Sequence, residues 1–152
     1  MSLIIAKVSI AFAFIFHGLF AINFRHEMII FDHARPGHFT EMVMLSLGIN
    51  QESLANSILV IAGILDFISA ALIFSKGTPR NIGLLYMLIW GSLTAMARPW
   101  SRFDSYEIVE SLNIWIPEML YRAPHFMIPV CLLLALKIKS EHDKLPLKKN
   151  HT

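Results

Sequence analysis

Two ionisable side chains sit inside long apolar runs. His17 lies in the run from Leu3 to Phe24, and Asp66 in the run from Leu54 to Phe74. A polar group in hydrocarbon is costly unless it finds a partner. At about 1.5 Å per helical residue, His17 lies roughly 10 Å from the Phe24 end of its run, and Asp66 roughly 18 Å from the Leu54 end of its own. The depths differ, so a direct pair between them is not expected. His17 then either bonds a neighbouring helix or contacts a ligand or redox cofactor. Asp66 must be protonated, paired or in a wet cavity, with a structural or a proton- or ligand-handling role. Gly63, Ser69 and Ala70 let another helix approach it. Trp90, at similar depth in a third run, offers an indole N–H as its partner.

A second group of polar residues marks the ends of two runs. Thr94 and Arg98 are four residues apart, on one helix face, and Arg122 and His125 open the last run. These ends and the slightly deeper His17 are expected to line one cavity. Arg122 would stand at its rim, with Arg102 and Glu118 extending it. Arginine and histidine donors suit an anionic or quinone-like headgroup, whereas plain interfacial anchoring needs no cavity. His17 and His125 together also raise haem b between helices, a weak signal resting on two histidines alone. His26, His33 and His38 share a loop with Asp32 and Glu41, but their spacing matches no metal signature, so no metal site is assigned. The single cysteine, Cys131, leaves no CxxC motif and no internal disulfide. No catalytic constellation is present, and no reaction is assigned.

The elements that must hold these residues are legible in the composition. Of 152 residues, 55% are hydrophobic and 16% charged, and mean hydropathy is +0.57. Soluble domains run nearer 45–50% and about 25%. The excess sits in four blocks, Leu3 to Phe24, Leu54 to Phe74, Ile82 to Ala97 and Ala123 to Ile138. A membrane span needs about 20 residues. The first two blocks qualify, and the last two extend into flanks where Arg80, Arg98, Arg122 and Lys139 can snorkel. The first block has one basic residue and no clear small-x-small cleavage site, so it reads as a retained span.

The expected fold is therefore all-α: an integral membrane four-helix bundle, residues 1–140, followed by a basic, disordered cytoplasmic tail, residues 141–152. Eight Lys and Arg residues, from Lys7 to Lys149, fall on the side of the N-terminus, and five fall on the other. The positive-inside rule then gives N-in, C-in topology. The tail lysines read as an anchor after the last span, and nothing resembles a nucleic-acid patch. Between the second pair of spans, Tyr106, Val109, Leu112, Trp115, Ile116 and Met119 recur at helical spacing. This predicts an additional interfacial amphipathic helix within Ser105 to Tyr121, which Pro117 kinks or ends early. The segment Met42 to Leu45 is too short to span and is expected at the interface or tucked onto the bundle.

The stretch FIFHGLFAI in the first run, IWGSLTAMARP closing the third and YRAPHFMIPVCLLLAL opening the fourth resemble, in order and spacing, the DoxX-like bacterial membrane proteins. The resemblance covers about Ile10 to Leu136. It implies four transmembrane helices in the bacterial cytoplasmic membrane. It also implies an accessory or redox-associated subunit, partnered by the bilayer and by other membrane-protein subunits. It supplies no agreed catalytic motif. The expected function is such a subunit, with a quinone or lipid headgroup pocket in its outer half. The alternatives are a haem- or quinone-dependent oxidoreductase or electron carrier, and a small proton-coupled transporter with Asp66 as proton site.

Overall fold

The computed structural model describes residues 2–22, 38–101 and 108–143, and the described residues form helices and short turns without a strand. In chain order the helices are α1 (Ser2–Ala21), α2 (His38–Leu47), α3 (Glu52–Leu72), α4 (Thr78–Ser101), α5 (Ile108–Tyr121) and α6 (Ala123–His142). The long helices close a ring: α1 packs on α3 and α6, and α4 packs on α3 and α6. The short α2 lies across α3 and α4, and α5 leans mainly on α4.

One close approach sets the register of α1 against α3. A Cβ on Gly18 would sit 2.9 Å from the Gly63 carbonyl oxygen, and one on Gly63 would sit 2.6 Å from Ile22 Cγ2. Only glycine lets the two antiparallel backbones meet there. Gly63 lies eleven residues into α3, roughly 16 Å from its start, whereas Gly18 is four residues, roughly 6 Å, from Ile22. Helix α3 therefore outruns α1 by roughly 10 Å at this end. Helix α2 covers the projecting length. Phe39 packs on Phe20 with ring centroids 6.3 Å apart, the Thr40 hydroxyl donates to Asn56 Oδ1 at 2.6 Å, and the Ser46 hydroxyl donates to the Ala97 carbonyl at 3.2 Å.

The pattern of burial is inverted relative to a water-soluble bundle. On α3 the buried residues are Ala55, Leu59, Ala62, Gly63, Asp66, Ser69 and Ala70, mostly small or polar. Its exposed face carries Val60, Ile61, Ile64, Leu65 and Ile68. The same inversion runs along α1, where Ile4, Ile5, Val8 and Phe12 face outward. Patches of this extent are not left to water by soluble proteins. Three stretches are long and apolar enough to cross a membrane: Leu3–Ala21, Glu52–Leu72 and the run Ile108–His142 through α5 and α6. Helix α4 is not among them; its uncharged apolar run, residues 82–97, is bracketed by Asn81 and Arg98.

The segment expected to hold a surface helix is helical as α5, and Tyr106 lies outside the described residues. Val109, Leu112 and Ile116 are exposed, while Ser111 turns inward. Pro117 does not end the helix, which continues to Tyr121. The loop residues His26, Asp32 and His33 and the tail beyond Asp143 also lie outside the described residues.

Candidate functional site

Gly18 and Gly63 bring the neighbouring polar residues face to face. His17 Nδ1 lies 2.7 Å from Asp66 Oδ2, so the two residues pair directly. This corrects the expectation that their depths keep them apart. That estimate assumed both helices start from one level, whereas α3 projects past α1. The second correction concerns Trp90, which is not the partner of Asp66. The Tyr86 hydroxyl takes that place, 3.1 Å from both Asp66 Oδ1 and the Ala62 carbonyl, so its single proton faces two acceptors. Tyr86 lies one helical turn before Trp90, and the two rings stack with centroids 6.5 Å apart. The sequence signal for Tyr86 was this i, i+4 relation to Trp90, since both then face the same neighbouring helix.

Asp66 is fully buried, whereas the His17 side chain keeps 18% of its surface. A buried carboxylate held by an imidazole and a phenol has both oxygens satisfied. The pair is electrically neutral in two arrangements: aspartate with imidazolium, or carboxylic acid with imidazole. Both place a hydrogen on His17 Nε2, the nitrogen that does not face Asp66.

The exposed part of His17 borders a pocket of about 290 Å³ between α1, α2, α3 and α4. Its walls are mainly apolar and aromatic, including Phe20, Phe39, Leu59, Trp90 and Trp100. Trp90 meets His17 edge-on at 6.5 Å, and its buried Nε1 has no hydrogen-bond partner. Ser46 and Thr94 also line the pocket, but their hydroxyl protons go to backbone carbonyls, those of Ala97 and Gly91, each at 3.2 Å.

Of the residues expected to converge, His17, Trp90 and Thr94 share this pocket. His125 is not among its lining residues. Its ring packs on the far neighbour Phe14, with centroids 6.4 Å apart, and its backbone lies against Gly91, where a Cβ would come within 2.8 Å of the His125 carbonyl oxygen. Phe14 also contacts His17, with ring centroids 6.2 Å apart. Arg122 is the N-cap residue of α6 and is not among the residues that line the pocket. Arg98 lies on α4 one turn beyond Thr94. Arg102 is outside the described residues.

Family models, curated proteins and solved structures were each compared with the chain, and none matches it.

Proposed function

We propose that the chain is a four-span membrane protein that binds one lipid-soluble molecule by its polar head. The spans are α1, α3, α4 and α6, with α2 and α5 at the outer face and both termini in the cytoplasm. One observation carries this proposal: His17, oriented by the fully buried Asp66, borders an otherwise apolar pocket. Pockets of this kind fix a ligand by a few convergent polar groups in apolar walls. The outward Ile, Val and Phe side chains support the membrane placement. Leu47, Leu93, Met96 and Trp100 line the pocket and are also exposed, so a molecule dissolved in the bilayer meets an apolar entrance.

The resemblance to DoxX-like proteins supports reading the chain as an accessory or redox-associated subunit of a larger complex in the bacterial cytoplasmic membrane. A quinone is one occupant of suitable chemistry. Binding is favoured over proton-coupled transport. Past Ser69 the interior is a packed apolar core of Ile10, Phe14, Ile73, Leu84, Met87 and Leu132, which offers a proton from His17 no polar route.

Solvent extraction of the purified protein, followed by mass spectrometry, tests the proposal. The expected result is a neutral lipid held at about one per chain by wild type and lost from Ala97→Phe, whose ring fills the pocket. Equal retention by both proteins overturns it.

A further inference from the structure

Lys7 is an ionisable residue of α1 that the pocket leaves unused. It lies one turn before Ile10 and Ala11, on the helix face that also carries Phe14. Arg80 lies one turn before Leu84 on α4. Ile10, Ala11 and Leu84 are buried in one apolar cluster. Helices α1 and α4 both run antiparallel to α3, in the case of α4 because residues 73–77 turn the chain back. One turn back therefore leads to the same end of the bundle on both helices. The two cations close the core at that end, where each is partly buried and within reach of the other's charge.

This repulsion is not offset within the described chain. Neither cation is paired with a carboxylate among the described residues. Arg80 donates to the amide oxygen of its neighbour Asn81, at 3.3 and 3.4 Å, and that amide carries no charge. The acids described at this end, Glu141 and Asp143, stand exposed at the end of α6. Lys76, Lys137 and Lys139 are exposed too and add only positive charge. Ordinary anchoring lysines follow the end of a span. Lys7 instead lies five residues, roughly 8 Å, inside the start of α1, where an ammonium group needs a partner. Next to it in sequence Ile4, Ile5 and Val8 are exposed, and so is Ile82 close to Arg80.

We propose that Lys7 and Arg80 hold the phosphate of an anionic phospholipid of the inner leaflet. This site depends on the membrane placement given above but not on the pocket beside His17. A phosphodiester brings one negative charge and two free oxygens. The ammonium and the guanidinium then each find an acceptor, and their mutual repulsion is relieved. Basic recesses between spans on the cytoplasmic side take anionic headgroups in this way. The exposed isoleucines offer the acyl chains an apolar surface, which a free phosphate ion cannot use. A zwitterionic lipid carries the same phosphate with a cation of its own, and gains less.

Native mass spectrometry of the full chain in neutral detergent micelles counts bound lipid. Phosphatidylglycerol and phosphatidylcholine with the same acyl chains are titrated in turn. Wild type should prefer phosphatidylglycerol about 25-fold, roughly fivefold from each cation. Lys7→Gln and Arg80→Gln should each cut that preference about fivefold while phosphatidylcholine binding stays as in wild type, a sign that the fold is kept. Lys7→Arg, which keeps the charge, and Lys137→Gln, on the exposed face of α6, should both retain the preference. Inorganic phosphate at the lipid's own concentration should leave phosphatidylglycerol bound. Equal affinity for the two lipids in wild type, or a preference unchanged by both Gln substitutions, overturns the site. An equal loss in Lys137→Gln also overturns it, since the preference then belongs to the whole basic face. Displacement by inorganic phosphate overturns the lipid as occupant. Release of the chain from membranes by alkaline carbonate refutes the membrane placement instead.

Discussion

His17 on α1 and Asp66 on α3 form a 2.7 Å contact at the level where Gly18 and Gly63 let the two helices touch. The contact joins helix packing to chemistry. The glycines set the distance between helices, the distance permits the hydrogen bond, and the bond turns the other imidazole nitrogen away from Asp66. Four consequences can be measured.

Removing either member of the pair strands the other. His17→Ala leaves a fully buried carboxylate without its main partner, at a cost of roughly 3 kcal/mol. Asp66→Ala leaves an imidazole beside a cavity. The double variant should lose less than the sum of the two, with a coupling of about 1–3 kcal/mol. Unfolding in detergent with increasing denaturant measures all four corners. Strict additivity would mean that the two side chains act independently.

Tyr86→Phe removes the donor facing Asp66 Oδ1 and the Ala62 carbonyl. The expected loss is about 1–2 kcal/mol, typical of a hydrogen bond to a polar or charged acceptor. An unchanged unfolding midpoint would show that the phenol is dispensable to the carboxylate.

Gly63→Ala places a Cβ 2.6 Å from Ile22 Cγ2 and 2.8 Å from the Gly18 carbonyl oxygen. The helices must separate, at about 1–3 kcal/mol of overpacking. The separation also lengthens the His17–Asp66 contact, so in the Asp66→Ala background the same substitution should cost less. An equal cost in both backgrounds would uncouple the glycine from the pair.

The topology has its own test. With Cys131 replaced by Ala, Ser140→Cys on the exposed end of α6 should react with membrane-impermeant maleimide only after permeabilisation. Asn50→Cys, exposed before α3, should react in intact cells. The opposite pattern would invert the orientation.

The helices were legible because apolar blocks and turns are local properties of the chain. His17 and Asp66 stood out for the same reason, each being polar among aliphatics. Their pairing was not legible. Depth counted from each run's own end presumes aligned ends, and the stagger of α3 past α1 is fixed by one Gly–Gly contact between residues far apart in sequence. Tyr86 was hidden by its ordinariness, since a tyrosine in an apolar helix draws no notice until a carboxylate lies opposite its hydroxyl. The wider polar belt divides for a geometric reason. Residues at the same level can face different neighbours, and His125 faces Phe14 while Thr94 faces the pocket.

Nitrogen-15 shifts follow the histidine side chains at the pocket themselves. The protein is labelled with ¹⁵N-histidine, His17 is assigned by its loss in His17→Gln, and the lipid-soluble ketone 2-acetylnaphthalene is added to saturation. The His17 Nε2 resonance should move on binding, while that of His125, outside the pocket lining, stays in place. A His17 resonance unmoved at saturation, or a shift confined to His125, would contradict binding at the pocket.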